Sequence, residues 1–287
     1  MAWKPKQPPA NNPWQRRMPW DNSWRTSDAG IFLRRQQIMS KIESWHETFF
    51  DGLYGKVLAE LFNEEQSKKE ARLVKYLARI RKGQSALDVP CGQGRLTFPL
   101  SDMGLVMTGV DRTQSYIRKA RRVARDRELN LRYECADMRE IEFEEEFDAA
   151  FNWFGSFGYF SETDNMQFLR RVYFALKPGG RFLIEGLNKS WLLSNFKPHR
   201  EEEVAGISLT HRSRWDAKNN RIHDKWTMSR GDRQESHTIT MRIYNGTEIR
   251  TILRNAGFAD IQLCGYPALR RLNRHSPRWI AVANRPT

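Results

Sequence analysis

The sequence is poor in cysteine, in long apolar runs and in acidic charge. Only three cysteines occur in 287 residues, Cys91, Cys135 and Cys264, and none forms a CxxC pair. An odd, unpaired set excludes a disulfide framework and a cysteine zinc site, and it points to a reducing compartment. No apolar run approaches the roughly 18 residues that cross a bilayer. The N-terminus lacks the apolar stretch of a secretory signal. A cytoplasmic location is the expectation, with an organellar matrix as the alternative. Acids are outnumbered by bases, 34 to 48, leaving a formal charge of +14. Such an excess draws anionic partners or substrates without specifying a fold.

What is present divides into segments. Residues 1–27 hold five prolines and four tryptophans (Trp3, Trp14, Trp20, Trp24) among five basic residues and one acid. The prolines forbid a regular helix, so this reads as a basic arm. Residues 28–82 carry apolar residues at three- and four-residue spacing, a helical cap whose second helix is expected to end at Gly83. From 83 to 188 strand and helix patterns alternate, from "SALDV" to "RFLIEGL". That alternation predicts an α/β fold with a parallel sheet covered on both faces. Residues 189–243 break the rhythm with "ISLTHRSRW", "RIHDKWTM" and "ESHTITMRIY", expected to form an inserted antiparallel meander. Residues 244–287 supply one more helix and two closing strands.

One further scarcity is informative. In "SALDVPCGQGRLTFPL" a strand runs into Asp88, and a turn with Gly92 and Gly94 opens a helix. The turn offers backbone N–H groups and close approach to a ligand. The dinucleotide fingerprint G-x-G-x-x-G wants a third glycine where Thr97 stands, which disfavours a pyrophosphate ligand. Asp111 ends the next strand, placed to accept the two hydroxyls of a ribose. Asp137, followed by Met138, ends the third, suited to an adenine amino group and the flank of its ring.

In order, "LDVPCGQGR", "GVD", "CADM", "FDAAFNWFGSFGYF" and "LKPGGRFLIE" resemble the motifs of class I S-adenosylmethionine-dependent methyltransferases, over about residues 45–285. "WHETFFDGLY" and "FGSFGYF" are similar to a bacterial-type subgroup whose members mostly have no assigned substrate. The resemblance implies a Rossmann-like, mostly parallel seven-stranded sheet and S-adenosylmethionine as cofactor, without a metal. It implies that Asp88, Gly92 and Gly94 hold the methionine end, with Arg95 a candidate for its carboxylate. Asp111 would meet the ribose, Asp137 and Met138 the adenine, with Pro90 and Arg112 as further cofactor-binding residues. Asn152 would lie beneath the sulfonium, and Tyr54 would close over the cofactor.

Methyl transfer is an in-line displacement that needs alignment and desolvation, and a base only where the acceptor loses a proton. "NWFGSFGYF" is not the N/D-P-P-Y/F loop that grips an exocyclic base amine, and no cysteine sits there to attack a pyrimidine. Trp153, Phe154, Phe157, Trp215, His223 and Trp226 are pocket candidates, and Tyr159 and His211 are candidate general bases. A small-molecule acceptor is the first expectation. The alternative is RNA or a ribonucleoprotein, bound by the arm and the Arg-rich "ALRRLNRHSPR" through stacking and phosphate contact, by a methyltransferase or an assembly factor.

Overall fold

The computed structural model describes residues 45–287. The basic arm and the first part of the helical cap lie outside the described residues. Strands β1 (Ser85–Asp88), β2 (Val106–Asp111), β3 (Arg132–Cys135), β4 (Phe147–Asn152) and β5 (Leu176–Leu187) pair in parallel in the order β3-β2-β1-β4-β5. β12 (Arg278–Asn284) joins β5 antiparallel, β10 (Ala259–Tyr266) joins β12, and the two-residue β11 (Arg270–Arg271) edges the sheet. The sheet thus has eight strands where seven were expected. The additional strand is a pair of exposed arginines that carries no apolar periodicity to read.

Successive residues of the sheet feed two cores. Phe182 and Ile184 pack with Phe168, Leu169 and Val172 of α5 (Glu162–Ala175) and Ile249 and Leu253 of α7 (Gly246–Asn255). Leu183 faces the other side, with Ala71 and Val74 of α2 (Glu64–Ala78) and Leu100 of α3 (Thr97–Asp102). Alternation with both faces apolar is what a doubly covered sheet requires. In α4 (Gln114–Asp126), Tyr116, Ile117, Ala120 and Ala124 are buried, and its arginines are exposed. α2 does not run to Gly83. It ends at Ala78, where Arg79 adopts a left-handed conformation (φ 53°) and its N–H caps Lys75 and Tyr76. Gly83, at φ 87°, serves the following turn.

A second sheet is antiparallel: β6 (His199–Val204), β7 (Ile207–Asp216), β8 (Arg221–Arg230) and β9 (Arg233–Arg242). β6, "HREEEV", is largely exposed and without alternation, so the sequence pattern had pointed to three strands there. Its inner face does not pack on the parallel sheet. Ile207, Leu209, Met228 and Ile239 instead form a core with Trp45, Phe49, Leu53, Tyr54 and Val57. These come from two 3-10 turns (Trp45–Glu47, Phe49–Asp51) and α1 (Leu53–Leu61). The short α6 (Lys189–Ser194) leads from β5 into this sheet.

Candidate active site

The ends of β1, β2, β3 and β4 open on a cavity of about 350 Å³, roofed by the 3-10 turns and α1. β1 is bonded to β2 on one side and β4 on the other, so the cavity sits where the strand order reverses, the usual ligand crevice of open α/β sheets. Asp88, Pro90, Gly92, Arg95, Asp111, Arg112, Asp137 and Met138 all line it, as do Tyr54, Trp153, Phe154 and Tyr159.

The floor is held by hydrogen bonds. Asp111 is buried, and its two carboxylate oxygens accept from the Gly92 and Thr113 N–H groups, each at 2.8 Å. Burial pushes its carboxyl up, against the pull of those two bonds. Asp88 accepts from the Thr97 hydroxyl at 2.7 Å. Burial raises its carboxyl to about 7, despite Thr97 and the nearby Arg95. The residue in the third glycine position is therefore a hydroxyl donor to the floor acid. Asp137 is gripped by Arg139 through its backbone N–H at 2.9 Å and its guanidinium at 2.8 Å, which outweigh burial and keep the carboxyl low. Gly92, at φ 56°, has open space where a Cβ would stand.

The wall comes from the loop after β4. Phe154 sits at φ 64°, a left-handed conformation that costs a non-glycine residue about 1 kcal/mol. Its neighbour Gly155 donates to Glu185, which is paired with Arg278. The Phe154 ring meets Phe62 edge-on at 4.6 Å. Trp153 donates to Glu70 at 3.0 Å, and Arg95 pairs with the same carboxylate at 2.8 Å. Arg95 is therefore already partnered, with one guanidinium nitrogen left over. Burial pushes the Tyr159 hydroxyl up to about 12, so it stays protonated and serves as a donor.

Several sequence candidates fall elsewhere. Gly94 does not line the cavity, because a Cβ there would lie 2.7 Å from both the Phe98 ring and the Tyr133 hydroxyl. Asn152 is fully buried behind the wall, donating to the Val89 carbonyl at 2.9 Å with its own carbonyl oxygen unpartnered. Phe157 stacks on Tyr244 in the core at 5.2 Å. His211 is buried in the second sheet, where it meets Glu202 at 3.0 Å and Asp224 at 3.4 Å. That ion network leaves it no access to the cavity. His223 is bound to Thr240 at 3.1 Å, and neither it nor Trp215 lines the cavity. Trp226 stands behind the roof, edge-on to Tyr54 at 5.5 Å.

Other lining residues were not singled out from sequence. Phe50 and His46 lie in the quoted "WHETFFDGLY", four residues apart like Phe50 and Tyr54. Tyr116 and Lys119, three apart on α4, reach the cavity from one helix face. Helical spacing after Asp111 was the signal available for that pair.

Comparison with known proteins follows this geometry. Residues 86–180 match the model of a family described as a methyltransferase domain. A ubiquinone biosynthesis O-methyltransferase of Bradyrhizobium diazoefficiens is 35% identical over 109 residues, which span 38% of this chain and 42% of that protein. The chain thus spans less than half the length of that curated relative. A crystal structure of an S-adenosylmethionine-dependent methyltransferase from Clostridium acetobutylicum superposes with a TM-score of 0.70 at 16% identity, covering 84% of this chain and 99% of the other. The CcbJ methyltransferase of Streptomyces caelestis gives 0.66 at 19% identity, covering 77% and 90%. Residues 86–180 are a methyltransferase domain, carried on the class I, Rossmann-like fold of the S-adenosylmethionine-dependent methyltransferases.

Proposed function

We propose that the protein moves a methyl group from S-adenosylmethionine to a small acceptor in the aromatic-walled half of the cavity. The observation that carries this reading is the gathering of Asp88, Gly92, Asp111 and Met138 from three successive strand ends onto one cavity. Buried polar atoms of lining residues without partners among the described residues fit such a cofactor: single nitrogens of Arg95 and Arg112. Asp111, fixed by two backbone donors, would hold the ribose hydroxyls, and Met138 would flank the adenine. Asp88 would face the amino group, and the free nitrogen of Arg95 the carboxylate. When bound, the cofactor supplies an electrophilic methyl group on a sulfonium.

The rings of Phe50, Phe62, Phe154 and Tyr159 exclude water and favour a planar or apolar acceptor. The likeness to a protein named for ubiquinone biosynthesis supports transfer to oxygen on a small molecule. Incubation with methyl-tritiated S-adenosylmethionine, a set of simple phenols and total RNA tests this. Label in a phenol supports the reading, and label confined to RNA overturns it.

A second reading has its own observation. Arg118, Arg122 and Arg125 lie on one exposed face of α4, and none forms an ion pair among the described residues. Such a stripe beside the cavity favours a polyanion such as RNA. On that reading, removal of residues 1–27 weakens a salt-sensitive RNA interaction and leaves cofactor binding intact.

A further inference from the structure

We propose that His46 is the general base of this site, taking the proton of a hydroxyl acceptor, an inference that rests on the methyltransferase reading above. His46 lines the cavity and is only 5% exposed. Neither ring nitrogen has a hydrogen-bond partner among the described residues. A buried imidazole with a free donor and a free acceptor is costly unless a ligand completes it. Its orientation is fixed by packing, with its ring edge-on to Phe160 at 4.9 Å and to Trp45 at 5.9 Å.

Elimination among the lining groups leads to the same residue. Asp88 is bonded to Thr97, Asp111 to Gly92 and Thr113, and Asp137 to Arg139. Tyr54, Tyr116 and Tyr159 are phenols that burial keeps protonated. Arg95, Arg112 and Lys119 have no basic lone pair. His46 alone among the described lining residues offers an unengaged basic nitrogen. His211, the histidine named from the sequence as a candidate base, is enclosed by carboxylates in the second sheet.

The surroundings of His46 set its protonation state. Arg112 follows β2 and Arg139 follows β3. Burial first, and then these two guanidinium groups, hold the imidazole down near 4, against Asp137 and its neighbour Glu47. The ring is therefore neutral throughout the physiological range. A neutral imidazole keeps its lone pair free for the proton of a hydroxyl acceptor. A weak base suffices, because the O–H becomes strongly acidic as the oxygen–carbon bond forms. The acceptor oxygen bonds the methyl carbon, the carbon–sulfur bond breaks with its electron pair left on sulfur, and the O–H proton passes to the imidazole. The positive charge moves from sulfonium to imidazolium, which returns its proton to water.

The test uses the full chain with catechol, a planar hydroxylated probe that stays protonated through pH 8, and the variant His46→Gln. Calorimetry with S-adenosylhomocysteine should give affinities within about threefold for both proteins, which also reports that the variant is folded. Its kcat for methylation of catechol should fall by roughly 10²–10⁴-fold, with KM changed less than about threefold. Wild-type kcat should be flat between about pH 6 and pH 8, where an unperturbed imidazole would titrate. A kcat for His46→Gln within about threefold of wild type overturns the proposal. So does a wild-type protein that binds S-adenosylhomocysteine and leaves catechol unmethylated, or one whose kcat falls on acidification between pH 8 and 6. Absence of S-adenosylhomocysteine binding by the wild type overturns the cofactor reading, and the proposal with it.

Discussion

The acids under the cavity are fixed by short hydrogen bonds, Asp111 and Asp137 from backbone N–H groups and Asp88 from the Thr97 hydroxyl, whereas the rings above it are fixed by one another and by the second sheet. Asp111 is tied to Gly92 and Thr113, residues of the same parallel sheet edge. The roof is anchored away from that sheet: Phe49 meets Trp226 and His237 edge-on, Trp45 donates to the Thr240 carbonyl, and the Leu53 N–H donates to Glu235. The roof meets the parallel-sheet side through polar ties, Asp51 with Ser115 at 2.6 Å, Glu47 with Arg112 at 3.5 Å and Gln93 with the Gly55 carbonyl at 3.5 Å, and through rings, Trp45 on Tyr159 and His46 on Phe160, each at 4.9 Å. Hydrogen-bonded acids keep their geometry whether or not a ligand is present. The roof is cored mainly on its own sheet, through Ile207, Leu209, Met228 and Ile239. The floor acids and the enclosing rings thus belong to different parts of the chain.

That contrast is broken most severely at Phe49, which is 2% exposed at the centre of the roof core. Phe49→Ala should cost about 4 kcal/mol of the roof's stability, read as lost hydrogen-exchange protection in α1 and β7–β9, with the parallel sheet unaffected. Asp111→Ala should weaken S-adenosylhomocysteine by at least ~100-fold, about 3 kcal/mol, with the thermal transition retained. Asp88→Asn separates stability from binding. The folded carboxyl sits near 7 against an ordinary value of 3.8, so the fold favours its neutral form. The destabilisation grows as pH rises from 3.8 to 7 and is constant above. Asp88→Asn should therefore gain of order 2 kcal/mol in urea unfolding at pH 8 and nothing at pH 4, while losing cofactor affinity. The smallest effect belongs to Glu235→Ala, about 1 kcal/mol from the lost bond to the Leu53 N–H, confined to roof protection.

The floor was legible in the sequence because strand, glycine turn and acid recur locally, at three strand ends in order. Asp88, Asp111 and Met138 could be read from motifs a few residues long. The roof was not legible, since its meaning depends on pairings nearly two hundred positions apart, such as Trp45 with Thr240. His211 and His46 illustrate the difference. Both are buried histidines flanked by aromatic residues, and only tertiary structure encloses one in carboxylates and leaves the other open to the cavity. Gly94 and Phe157 share motifs with residues that line the cavity, but they themselves lie beside Tyr133 and Tyr244, a placement that spacing along the chain does not reveal. Arg79 ended α2 without a glycine, a left-handed cap that composition does not announce.

The central claim is that the acids at the ends of β1 and β2 read an adenosine-bearing ligand. Calorimetric titration of the intact chain with S-adenosylhomocysteine, repeated on Asp111→Ala, addresses it most directly. The account predicts micromolar or tighter binding to the wild type and loss of that heat in the variant. A folded wild-type protein that gives no heat, or a variant that binds as tightly as the wild type, would contradict it.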